Sequence, residues 1–189
     1  LTWSAVYKGI PFVYVKKWDG NCWHELGADS ASGTGLGQGG NTTLALASDG
    51  SLYVAWLAVV AGKTSIQVRK WNTITAKWED LDFESSTIQE YLNRSKQYPN
   101  IATATDGSLY LTWVNSDRFG EEIAISRWNG DSWTNITTLF HKLDESNTSK
   151  HLESPVMALT SDGDTYIAWL SSDSVLGDSN RVFLRYADN

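Results

Sequence analysis

Proton-transfer, nucleophilic and metal chemistry begin from few residue types, and in this chain those residues are scattered. The three histidines, His24, His141 and His151, fall in unrelated registers of the repeat described below, and no Gly-x-Ser-x-Gly elbow is present to present a serine nucleophile. His141 and His151 stand ten residues apart beside Asp144 and Glu145, a spacing that matches no common metal-ligand set, so all three are expected to be surface or loop residues. Cys22 is the single cysteine, which excludes an intrachain disulfide and a cysteine cluster; His24 is its one neighbour placed to activate it. Asp49, Asp106 and Asp162 each precede a glycine and are expected to serve turns rather than a ring of carboxylates, while Asp162 and Asp164 lack the remaining ligands of a calcium loop. The expectation is a chain with no metal, no cofactor and no catalytic centre.

The tryptophans remain. Trp18 and Trp23, Trp71 and Trp78, and Trp128 and Trp133 follow one another at matching intervals. The first of each pair is preceded by Lys or Arg, and the six are the candidate platforms for stacking a sugar ring. Trp56, Trp113 and Trp169 alternate with small or apolar residues and are expected to pack between sheets.

These residues are positioned by a repeat. The runs 48–56, 105–113 and 161–169 are three versions of one pattern, Ser/Thr-Asp-Gly followed by an alternating stretch that ends in Trp, and Leu1-Thr2-Trp3 is the tail of a fourth. Trp3, Trp56, Trp113 and Trp169 are separated by 53, 57 and 56 residues. Each Asp-Gly joins two alternating runs as a tight hairpin. A third alternating run follows, Val13–Trp18, Ile66–Trp71, Ile123–Trp128 and more loosely Val182–Tyr186, and a fourth opens at Trp23, Trp78 or Trp133.

Four short antiparallel strands recurring at this period predict an all-β chain, a β-propeller with about three and a half blades in a single repeat domain, 1–189. Blade 1 is partial (1–27), blades 2 and 3 span about 42–83 and 99–139, and blade 4 is partial (155–187). Alternation assigns Leu44, Leu46, Val54, Trp56, Ile66, Val68, Ile101, Leu111, Trp113, Ile123, Ile125, Met157, Leu159, Ile167 and Trp169 to the core and leaves Lys16, Arg69 and Glu79 outside. The segment 33–40 reads as too glycine-rich to hold structure, and 87–92 as a short helix.

The hairpins Trp128-Asn129-Gly130-Asp131-Ser132-Trp133 and Trp18-Asp19-Gly20-Asn21-Cys22-Trp23 resemble the Trp-x-Gly-x-x-Trp hairpins of kelch-like, tectonin-like and fucose-lectin-like propeller blades. The sialidase Ser-x-Asp-x-Gly-x-Thr-Trp box lies between third and fourth strands, and the Asp-Gly here lies between first and second. The resemblance implies a non-catalytic extracellular module that recognises a protein or glycan through its blade loops. The alternative is part of a propeller-type glycoside hydrolase or lyase with its reacting groups in the central funnel.

A net charge of -7 opposes a nucleic-acid partner and an anionic membrane surface, and no apolar run is long enough to span a bilayer. Four N-glycosylation sequons, at Asn41, Asn93, Asn135 and Asn147, agree with an extracellular or cell-surface location. Open blades at both ends are expected to pair with the remaining blades of a longer chain or with further copies.

Overall fold

The structure, a computed structural model, describes residues 1–60, 63–81, 83, 95–117, 120–142, 150–161, 164–173 and 181–187; Asn93, Asn147, Asp162 and the segment 87–92 lie outside them. Apart from Phe83, which has helical backbone, all described regular structure is β. Blade 1 contains β1 (Thr2–Tyr7), β2 (Ile10–Trp18), β3 (Trp23–Glu25) and the short β4 (Gly37–Gln38). Blade 2 contains β5 (Gly40–Leu46), β6 (Leu52–Val60), β7 (Lys63–Asn72) and β8 (Lys77–Asp80). Blade 3 contains β9 (Ser95–Thr103), β10 (Leu109–Asp117), β11 (Gly120–Trp128) and β12 (Trp133–Lys142), and blade 4 contains β13 (Lys150–Leu159), β14 (Thr165–Asp173) and β15 (Arg181–Ala187). Pairing is antiparallel throughout and follows chain order, except that β4 pairs with β2 rather than β3, as in the up-and-down sheets of a propeller.

Blades meet through their first strands. Thr103 Oγ1 on β9 donates to the Leu46 carbonyl of β5 at 3.1 Å, and the Met157 amide of β13 donates to Asn100 Oδ1 of β9 at 3.0 Å. Blade 1 has no counterpart of β5 among the described residues, and there the hydroxyls of Thr2 and Thr42 lie 2.8 Å apart across β1 and β5.

The marked tryptophans fill the seams, as the alternation requires. Trp56 packs with Val13 and Val15 of blade 1, Trp113 with Ile66 and Phe83, and Trp169 with Val114 and Ile123 of blade 3; their exposures are 2%, 0% and 7%. A second device ties the outer strands. The Trp78 indole N–H donates to the Leu26 carbonyl of blade 1 at 2.9 Å, and that of Trp133 donates to the Leu81 carbonyl of blade 2 at 2.7 Å, each reaching back 52 residues.

Three expectations change. Leu44 and Leu46 are 37% and 65% exposed, because their face of β5 looks toward blade 1, where no first strand covers it. Met157 and Leu159 are half-buried, and so are Lys16 and Arg69, the latter because its guanidinium donates to Asp80 at 2.6 Å and to the Leu36 carbonyl at 2.6 Å. The glycine-rich segment is ordered against blades 1 and 2: Gly35 and Gly39 adopt positive φ, and a Cβ would stand 2.2 Å from the Val13 carbonyl oxygen at the first and 2.1 Å from that of Leu57 at the second. Glycine there permits both the left-handed backbone and the close approach.

Asp49 and Asp106 carry out the turn role. Each accepts the amide of the serine two residues on (Ser51, Ser108) at 2.8 Å and its hydroxyl at 3.0 Å, and these bonds hold both carboxyls below the usual carboxylate range. Because the folded values are depressed, the stability they add is complete above the unfolded value of about 3.9 and is lost as pH falls through the lower folded values. Asp49→Asn with Asp106→Asn, which keeps the turn acceptor without the charge, is expected to flatten the acid limb of stability below about pH 4; an unchanged limb in urea melts across that range would show that the acid sensitivity arises elsewhere.

Candidate functional site

Burying an ionisable group is costly, so a row that carries buried ionisable groups is a functional candidate. Two residues beyond the marked tryptophan, blade 1 places Ala5 opposite Phe12 and blade 2 places Ala58 opposite Ser65. Blade 3 places Asn115 opposite Glu122, with Lys96 completing the row on β9. Lys96, Asn115 and Glu122 are 1%, 0% and 3% exposed. The Trp113 indole N–H donates to Asn115 Oδ1 at 2.6 Å, and Asn115 Nδ2 donates to Glu122 Oε1 at 3.2 Å, so the amide is oriented by the seam tryptophan and in turn orients the carboxylate.

Asn115→Leu keeps the volume and removes both bonds. The stranded indole N–H alone costs about 1–3 kcal/mol, and loss of this donor to Glu122 adds to it. A urea midpoint equal to that of the parent would show that the row has no internal coupling.

The adjacent row runs Ser95, Ser116, Glu121, His141 across β9 to β12. Successive residues of a strand point to opposite faces, so Glu122 looks into the seam with blade 2 while Glu121 looks toward blade 4. Glu121 is fixed there: Oε2 accepts the Leu152 amide of β13 at 2.6 Å, Oε1 accepts the Ser116 hydroxyl at 3.4 Å, and His151 Nδ1 lies 3.4 Å from the same Oε1. The Glu121 side chain is 12% exposed and that of His151 63%, so a carboxylate held in the seam orients an imidazole that is open to solvent. His151 is at the surface, one of the two places expected for it, but it stands on β13 rather than in a loop. Its partner comes from another blade, 30 residues away, and no local spacing announces it. The legible signal was the comparison between copies, which isolates Asn115 and Glu122 against Ala58 and Ser65.

The six candidate platform tryptophans lie at the hairpins joining third and fourth strands. In each pair the rings meet at a tilt across the two strands, with centroids 5.4, 5.4 and 5.5 Å apart for Trp18–Trp23, Trp71–Trp78 and Trp128–Trp133. Trp71 and Trp133 are buried and Trp78 and Trp128 half-buried, whereas Trp18 and Trp23 are 48% and 47% exposed and line an apolar groove of about 450 Å³ with Leu26, Leu44 and Leu46. A polar cleft of about 420 Å³ between blades 2 and 3 is lined by Tyr53, Lys70, Glu79, Asp106 and Trp128. Of the sequons, Asn41 is exposed, and Asn135 is half-buried with its Nδ2 shut away from solvent. No helix among the described residues is long and apolar enough to cross a membrane.

No family model and no curated protein matches the chain. Solved structures do. A polysaccharide lyase superposes with a TM-score of 0.58 at 14% identity over 80% of this chain and 39% of its own. A Hadza microbial sialidase gives 0.55 at 11% over 100% of this chain and 43% of its own, and an endo-arabinase from Bacteroides thetaiotaomicron gives 0.51 at 11% over 98% and 74%. The chain thus spans about two fifths of the first two and about three quarters of the third. These likenesses overturn the expectation of a chain without catalysis, because the architecture from which it was drawn is one on which enzymes are built. Groups carried on separate blades can converge in space without any linear motif, so the lack of one says nothing against them. The chain is all-β, with the four-stranded antiparallel blades of a β-propeller.

Proposed function

We propose that the chain is the site-bearing part of a glycan-cleaving propeller enzyme acting outside the cell, with His151 as the proton-transfer group and Glu121 as the residue that positions it. The observation that carries this is the Glu121–His151 contact between blades 3 and 4, built by a carboxylate whose other bonds hold it still. With the imidazole proton on Nδ1 and directed at Glu121, the Nε2 lone pair is presented to solvent, where it can take a proton from a sugar carbon or, once protonated, deliver one to a glycosidic oxygen. Glu121 and Glu122 diverge into different seams, so they do not form the two-carboxylate clamp of ordinary glycoside hydrolysis, which favours the imidazole. The lyase, sialidase and arabinase that share the fold support a glycan as the substrate class.

The test is incubation with a panel of acidic and neutral polysaccharides, reading new reducing ends and the ultraviolet absorbance of a carbon–carbon double bond. Both signals together mean elimination, and reducing ends alone mean hydrolysis. Either supports the reading when it depends on His151; a panel in which no polymer is shortened overturns it.

A further inference from the structure

The hairpin between β2 and β3 brings together three side chains that the fold does not need. Asp19 Oδ1 accepts the amides of Asn21 and Cys22 at 2.7 and 2.8 Å, which fixes the carboxylate and turns Oδ2 outward. His24 Nε2 lies 2.5 Å from that Oδ2 and 3.0 Å from Cys22 Sγ, and Sγ lies 3.8 Å from Oδ2. The two backbone bonds, with His24 as a further donor, hold the Asp19 carboxyl well below the usual carboxylate range.

Blade 3 builds the same hairpin from different chemistry. Asn129 Oδ1 accepts the amides of Asp131 and Ser132 at 3.0 Å each, and the Asn129 amide donates to the Ser132 carbonyl at 3.3 Å, as that of Asp19 does to Cys22 at 3.2 Å. Asn129, Ser132 and Thr134 therefore occupy the places of Asp19, Cys22 and His24. The turn forms without a carboxylate, a thiol or an imidazole, so their meeting in blade 1 is not a requirement of folding.

One nitrogen stands within hydrogen-bonding reach of both an oxygen and a sulfur, and a neutral imidazole nitrogen carries at most one proton to share between them. A cation in that position takes all three donors at once. We propose that Asp19 Oδ2, Cys22 Sγ and His24 Nε2 bind one divalent cation of the zinc class through a mixed oxygen, sulfur and nitrogen donor set. A fourth coordination position is left to water or to a donor from a neighbouring molecule. Thiolate and imidazole select borderline first-row ions over calcium or magnesium. Bonds of about 2.0–2.3 Å in tetrahedral geometry set the donors about 3.3–3.7 Å apart, so Nε2 must retreat from Oδ2 by about 1 Å. The side chains of His24 and Asp19 are 52% and 43% exposed and Cys22 is exposed, so all three donors are open to solvent and to an arriving ion. Binding replaces the thiol proton by the metal and releases it to buffer.

Cys22 is the chain's one cysteine, so a thiolate-to-cobalt charge-transfer band on titration with Co²⁺ reports this site alone. Asp19→Asn, Cys22→Ser and His24→Thr each copy the residue that blade 3 carries, and each is expected to fold. The expected result is a band saturating at one Co²⁺ per chain, displaced by Zn²⁺, lost in Cys22→Ser, and moved to higher Co²⁺ in both Asp19→Asn and His24→Thr. In Asp19→Asn the turn acceptor Oδ1 stays while the ligating oxygen becomes an amide. No band in the parent overturns the proposal, as does a band unchanged in both the Asp19 and His24 variants, which would report a bare thiol.

Discussion

Trp113→Ala is expected to lower stability by about 3–5 kcal/mol, the usual loss for truncating a buried aromatic. Trp113 is fully buried in the seam between blades 2 and 3, with the Phe83 ring edge-on at 5.1 Å and Trp133 edge-on to that same Phe83 at 5.1 Å. Removing the indole opens a cavity under both rings and also strips Asn115 Oδ1 of its donor. For a chain of this size each kcal/mol moves the melting temperature by about 2–4 °C, so a fall of roughly 10 °C is the expected reading. Trp113→Phe keeps a ring and should recover much of it. Trp18→Ala is the control: Trp18 is 48% exposed, and its ring pair with Trp23 is worth about 0.5–1.5 kcal/mol. Equal losses at Trp113 and Trp18 would show that the seams do not carry the stability.

On any polymer the protein cleaves, His151→Gln is expected to lower kcat by about 10²–10⁴, the range for removing a general acid or base. Glutamine retains a polar side chain near Glu121 but exchanges no proton, and a side chain 63% exposed can be replaced without opening a cavity. Glu121→Gln should cost less in kcat, because the imidazole remains and only its orientation loosens. Parental kcat in His151→Gln on a cleaved polymer would place the chemistry at another group.

The repeat was legible because a large ring is placed at every seam and the spacing of Trp3, Trp56, Trp113 and Trp169 survives unequal loops. Alternation told which residues share a face of β5, but not whether a neighbouring sheet covers that face, which is why Leu44 and Leu46 were assigned to a core they do not reach. The site was not legible by motif. Glu121 and His151 belong to different blades, and Lys96, Asn115 and Glu122 form a row only once β9, β10 and β11 are in register. Cys22 and His24 were in view as neighbours, but the part of Asp19 depends on which carboxylate oxygen the turn consumes.

The indole bonds that reach back 52 residues, from Trp78 to Leu26 and from Trp133 to Leu81, set where this molecule can be cut. A segment excised at the sheet edges carries its tryptophan away from the carbonyl that receives it and leaves the donor unsatisfied at the new end. An engineer lengthening the array should therefore duplicate a cassette phased from one receiving carbonyl to the next, residues 27–81, rather than from first strand to first strand. The new junction then repeats the indole-to-carbonyl contact of the existing ones, with Trp78 of the added copy donating to the Leu81 carbonyl before it and Trp133 to that of the copy.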